Sequence, residues 1–67
     1  MKKEEIAEIV KKRRADLGIT QPDLSEITQI GLRTLKRIEN AEGNVTLDNL
    51  SKVLNVLGLK IEIKLKK

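Results

Sequence analysis

A chain of 67 residues encloses one domain with one small core. It has no cysteine and no histidine, which excludes disulfides, thiolate chemistry and the commonest zinc ligand and general base; carboxylates scattered among lysines are what remains for a metal, so neither metal nor cofactor is expected. The formal net charge of +4 comes mostly from Lys60, Lys64, Lys66 and Lys67, since residues 1–59 hold ten basic and nine acidic side chains, so bulk charge points to nucleic acid only weakly and local clustering has to decide.

Ile6, Ile9, Val10 and Leu17 recur at helical spacing and predict a first helix over residues 3–17 that buries them. Glu4 and Glu5 near its start and Lys11 to Arg14 near its end suit the helix dipole, and Gly18 supplies a left-handed terminator. Thr20 caps a second helix, with Asp23 as its capping-box partner, Pro22 in the first turn, and Ile19 with Leu24 as a hydrophobic staple. This helix runs to about Thr28 and is expected to bury Leu24 and Ile27. Gln29, Ile30 and Gly31 form a three-residue turn into a third helix, Leu32 to about Asn40, whose Leu35 and Ile38 face inward. Ile30 and Leu35 make a second staple. After the polar loop from Ala41 to Asn44, Thr46 caps a fourth helix that Gly58 ends. Its inward face is Leu47, Leu50, Val53, Leu54 and Leu57, and Val45 with Leu50 is a third staple.

From Leu59 the period changes. Leu59, Ile61, Ile63 and Leu65 alternate with Lys60, Glu62, Lys64 and Lys66, the pattern of a strand with one apolar face. The expected fold is therefore all-α: a compact bundle of four main helices with a helix-turn-helix over residues 1–58, then a C-terminal β-strand over residues 59–67 that pairs across a dimer.

Two short helices joined by a three-residue turn make a helix-turn-helix, whose second helix can enter the major groove of a DNA duplex while the first crosses the backbone. Tight turns occur in any helical bundle, so the spacing alone is a weak signal. The surface of the third helix strengthens it. Arg33 and Arg37 project almost opposite Leu35 and Ile38, with Lys36 beside them, and no acid stands one turn from Arg33. Arginine binds guanine O6 and N7 through two bonds, and lysine reaches phosphates. A charge run is otherwise a solvated face. Single-stranded nucleic acid is bound by stacking on aromatic rings, of which this chain has none, so a duplex is the expected target.

Other classes fare worse. A hydrolase has only Ser25 and Ser51 as serine nucleophiles and no histidine base. No apolar run reaches the length of a membrane span, no signal-peptide apolar region precedes the first helix, and lysines alternating with apolar residues do not make an interfacial helix; no membrane partner and a cytoplasmic location are expected.

The segment Leu17-Gly18-Ile19-Thr20-Gln21-Pro22-Asp23-Leu24-Ser25-Glu26-Ile27, the run Arg33 to Asn40, and Gly43-Asn44-Val45-Thr46-Leu47 together resemble the lambda-repressor-like, Xre-type DNA-binding domains over residues 6–58. The resemblance implies that Leu32, Arg33, Lys36 and Arg37 read bases or adjacent phosphates. It implies phosphate contacts at Gln21, Thr34, Asn40 and Asn44, the helix end at Gln21 offering free N–H groups to the same phosphate. Leu32 flanks the core stripe and is either packed or set against a thymine methyl; Asn40 and Asn44 alternatively cap turns. The resemblance also places Arg14 against Glu39 as a partly buried ion pair, although Arg13 points nearer the centre of the apolar stripe. Three positions depart from the family: Gln29 stands at the usual turn glycine, Gly31 at the usual hydroxyl cap, and Ser25 at the usual alanine.

A lone strand has no mate in its own chain, and an alternating apolar face needs cover. Pairing with the same strand of a second copy gives a homodimer with Leu59, Ile61, Ile63 and Leu65 in the interface; the alternative is a tail lying along the fourth helix. The domain with its terminal strand resembles HipB-type antitoxins, which implies a repressor dimer on a double-stranded operator and a toxin protein as partner. A competing expectation is an adaptor whose strand augments a partner's sheet.

Overall fold

The computed structural model describes residues 2–66, so Met1 and Lys67, at the ends of the two expected segments, lie outside the described residues. Four helices follow one another: α1 (Lys3–Asp16), α2 (Gln21–Thr28), α3 (Leu32–Glu39) and α4 (Leu47–Val56). The starts of α1, α2 and α4 are each closed by a local side-chain bond. The Glu5 carboxylate accepts the backbone N–H of Lys2 (3.2 Å) at the start of α1. Thr20 and Asp23 exchange two bonds of 3.1 Å across the first turn of α2. These backbone and hydroxyl donors hold the Asp23 carboxyl below its ordinary pKa. The hydroxyl of Thr46 accepts the N–H of Asn49 (3.1 Å) and caps α4.

The ends of α1, α3 and α4 share one closing pattern. The residue after each C-cap has a positive φ: +69° at Gly18, +55° at Ala41 and +74° at Gly58. The next N–H then bonds back to the carbonyl five residues earlier, as in Ile19 to Arg14, Glu42 to Arg37 and Leu59 to Leu54. Ala41 alone carries a Cβ into this left-handed conformation, so Ala41→Gly should raise stability by roughly 0.5–1 kcal/mol, the relief of strain being partly offset by a freer unfolded chain. A thermal melt reads the gain, and a midpoint at or below the parent's contradicts it.

The core is wholly aliphatic. Val10, Leu24, Leu35, Val53 and Leu57 are fully buried, with Ile30, Ile38, Leu50 and Leu54 around them and Ile6, Ile19, Val56 and Leu59 packed on the outside. α3 packs against α1 and α2, and α2 also meets α4. Arg13, on the flank of the α1 stripe, donates to the carbonyl of Leu57 (2.8 Å) and so closes the end of α4 from across the core.

Four apolar residues expected inside are outside. Ile9 (43 % exposed), Leu17 (43 %), Ile27 (57 %) and Leu47 (68 %) all reach solvent. On α1 the inward positions are Ala7 and Val10; Ile9 lies one residue round the helix from Val10, at the edge of the stripe, and Leu17 has passed the last turn. On α2 the buried pair is Leu24 and Thr28, one turn apart, which turns Ile27 away. Thr28 is tolerated because its hydroxyl donates to the Leu24 carbonyl (2.7 Å) and accepts the N–H of Ile30 (3.3 Å). Leu47 opens α4 one turn before the buried Leu50, where the preceding loop does not cover it.

The tail is also not the strand expected. Leu59 packs on the core, but residues 60–66 carry no strand among the described residues, and Ile63 and Leu65 stand 94 % and 99 % exposed. A strand exists through its ladder, and one chain offers this segment no second strand.

Candidate nucleic-acid interface

Hydroxyl groups and one unusual dihedral fix the angle between α2 and α3. Gln29 adopts φ +61° as the C-cap of α2, and its amide donates to the Glu26 carbonyl (2.7 Å), which helps to hold a side chain where the family carries glycine. Ser25 donates to the carbonyl of Ile30 (2.6 Å). Together with Thr28 it ties the last turn of α2 to Ile30, the buried middle of the turn. In the sequence Ser25 stands only at the usual alanine and Thr28 only at the end of the second helix. Two hydroxyls three positions apart just before a turn were the available signal. Gly31 begins α3 without a side-chain cap.

α3 divides cleanly by face. Leu35, Ile38 and Glu39 are buried; Arg33, Lys36, Arg37 and Asn40 are exposed; Leu32 and Thr34 are half-buried. Leu32, Arg33, Lys36, Arg37, Asn40 and the carboxylate of Glu42 line one shallow concavity. Thr34 lies outside that group, and Asn44 is exposed in the loop beyond it.

The cations of this face differ from the others on the helices. Lys11, Lys12 and Lys52 pair with Glu8, Asp16 and Asp48 within their own helices, and Arg14 pairs with Glu39. Lys3 and Arg13 donate to the carbonyls of Gly43 and Leu57. Among the described residues, Arg33, Lys36 and Arg37 have no acid within salt-bridge distance and no side-chain hydrogen bond inside the domain. Three unpartnered cations on just over two turns concentrate positive potential on this face.

Behind this face sits a buried carboxylate. Glu39, 2 % exposed, accepts two bonds from Arg14, Nε at 2.7 Å and Nη2 at 3.0 Å. The third guanidinium nitrogen of Arg14 donates to the Ile19 carbonyl (2.9 Å), and the bond to Glu39 raises its already high pKa further. Glu39 Oε1 also accepts the side-chain amide of Gln21 at 3.1 Å. One carboxylate therefore joins α1, the start of α2 and the end of α3. An amide nitrogen has two hydrogens, so Gln21 keeps one donor after serving Glu39. The resemblance gave the Arg14–Glu39 contact; the attachment of Gln21 to it had no sequence signal.

No helix is long and apolar enough to cross a membrane, and among the described residues no His, Cys, Asp or Glu cluster is arranged to hold a metal ion. No curated protein matches the chain. The helix-turn-helix family model matches residues 10–64, which hold the whole of α2, the turn, α3 and α4. With two short helices set across a fixed turn and that match over most of its length, the chain belongs to the Xre, lambda-repressor-like helix-turn-helix family of DNA-binding transcription regulators.

Proposed function

We propose that this chain is a sequence-specific repressor that binds a palindromic double-stranded operator as a homodimer, each copy laying α3 in the major groove. The observation that carries the reading is the unpartnered cationic face of α3. Burying ion-paired lysines against DNA would first cost their internal pairs, whereas Arg33, Lys36 and Arg37 have none to lose. Arg33 and Arg37 are the base readers, Lys36 and Leu32 stand beside them, and Gln21, Thr34, Asn40 and Asn44 meet phosphates. At the start of α2 the backbone N–H of Gln21 itself is the donor left for a phosphate, since Pro22 has none and that of Asp23 is held by the Thr20 hydroxyl.

Arg33→Ala should weaken binding to the preferred operator by roughly 1–3 kcal/mol and relax the choice at one base pair, while Lys36→Ala should weaken binding to all sequences more evenly and flatten the salt dependence by about one unit of slope. Competition binding over a salt series measures both. Equal losses on specific and non-specific duplexes for Arg33→Ala would remove it from the base readers.

Residues 59–65 supply the dimer contact in this reading, the apolar tail pairing antiparallel with its copy. The HipB-type resemblance extends the role to the antitoxin of a toxin pair, in which a toxin protein binds the same dimer; a stable complex with the product of an adjacent gene is the test. The nearly full exposure of Ile63 and Leu65 also suits an adaptor that adds its tail to another protein's sheet. Sedimentation of the pure chain separates the two, since an adaptor sediments as a monomer.

A further inference from the structure

One acid shares the concavity of α3 with its cations. Glu42 lines it together with Arg33, Lys36 and Arg37, and it is exposed. Among the described residues it has no cation within salt-bridge distance. Two ties fix where it stands. Its backbone N–H bonds to the Arg37 carbonyl (2.9 Å) after the left-handed step at Ala41. The carbonyl of the next residue, Gly43, accepts the Lys3 ammonium from α1 (3.0 Å). The Arg37 side chain passes the same Gly43, where an added Cβ would lie 3.9 Å from its Cδ. The carboxylate therefore hangs from backbone that is set against the end of α3.

We propose that Glu42 restrains DNA binding: its carboxylate faces the sugar-phosphate backbone when α3 is docked, repels it, and lowers the affinity for every duplex by a similar factor. This rests on the docking of α3 proposed above and names a residue that limits its strength. Length assigns the carboxylate to phosphate rather than to a base. A helix of eight residues is about 12 Å long, roughly the width of the major groove. In a helix-turn-helix the start of the second helix reads the base edges. With Leu32 and Arg33 there, the far end of α3 stands at the wall of the groove, where Asn40 and Asn44 are assigned to phosphates. Glu42 lies between those two in the chain. An ionised carboxylate only accepts hydrogen bonds, so a phosphate offers it repulsion alone. Lys36 and Arg37, once turned to the DNA, are engaged there and do not neutralise it.

Glu42→Gln keeps the shape of the side chain and removes its charge. Glu8→Gln makes the same change of net charge at an exposed position of α1 outside the concavity and serves as the control. Binding of the full chain is measured over a salt series on a mixed-sequence duplex and on a duplex selected from a random pool by the wild-type chain. Glu42→Gln is expected to bind both duplexes roughly three- to tenfold more tightly at low salt. Its salt dependence should be steeper by up to about one unit of slope, so that the gain shrinks as salt rises. Damage to the fold gives no such gain. Glu8→Gln should change either affinity less than about twofold. An equal gain from Glu8→Gln would trace the effect to net charge and overturn the placement. A Glu42→Gln chain that binds the selected duplex more weakly and tolerates a change at one base pair would make the carboxylate a reader of a cytosine amino group, which also overturns the proposal. Unchanged binding overturns it too. All three results leave the docking of α3 standing, whereas a wild-type chain that binds no duplex overturns both.

Discussion

Glu39→Ala is expected to cost on the order of 3 kcal/mol of stability, because it leaves the Arg14 guanidinium largely buried without its carboxylate. In a domain this small that is a large share of the whole, and the thermal midpoint should fall by roughly 12–24 °C. Arg14→Ala strands the opposite charge and should cost as much. The cost belongs to the stranded charge more than to any strength of the pair. The double replacement Arg14→Met with Glu39→Leu, which leaves no charge behind, should therefore be more stable than either single alanine variant.

DNA binding should not recover in that double variant. Gln21 loses the acceptor that orients its amide, and the start of α2 loses one of its ties to the end of α3. Melting temperature and operator affinity would then part company, a result that a purely structural role for Glu39 does not give. A Glu39→Ala protein that melts within about 2 °C of wild type would remove the carboxylate from the centre of this scheme.

Deleting residues 60–67 is expected to give a folded domain that is largely monomeric and binds a palindromic operator about 10²–10⁴-fold more weakly. The cut belongs after Leu59, since that residue packs on the core and its N–H closes the end of α4 on Leu54. One domain of this size touches few base pairs, and useful specificity needs two half-sites about 34 Å apart, one turn of DNA. When the two domains are linked, binding of the second half-site becomes intramolecular, and that advantage is what the deletion removes. Affinity for a single half-site should hardly change. Sedimentation velocity with gel-shift titration on full and half operators reads both consequences. A truncated chain that stays dimeric with unchanged operator affinity would show that the tail does not join the copies.

The two results are independent by construction. Glu39 acts inside one copy, so its loss should weaken half-site and full-site binding alike. The tail acts between copies, so its loss should touch only the full site. A variant that fails in the wrong column would show that the geometry of α3 and the assembly of the dimer are coupled.

The number, order and limits of the helices were legible in the chain because their signals are local. Thr20 with Asp23, Thr46, Gly18 and Gly58 each act within a few residues of the backbone groups they satisfy, and their effect does not depend on the rest of the fold. The cationic face of α3 was legible for a related reason: Arg33, Lys36 and Arg37 share a side of any helix built from this segment. Which apolar residues are buried was a different matter. Periodicity marks a stripe but not its centre or its cover, so Ile9, Ile27 and Leu47 read as core until the crossing of α1, α2 and α4 left them at its margin. Polar contacts over long separations were the least visible. Gln21 meets Glu39 because α2 and α3 fold onto each other. The tail shows the same limit. Its alternation determines that one face is apolar, but a strand needs a partner, and whether residues 59–65 have one is decided between molecules rather than within this one.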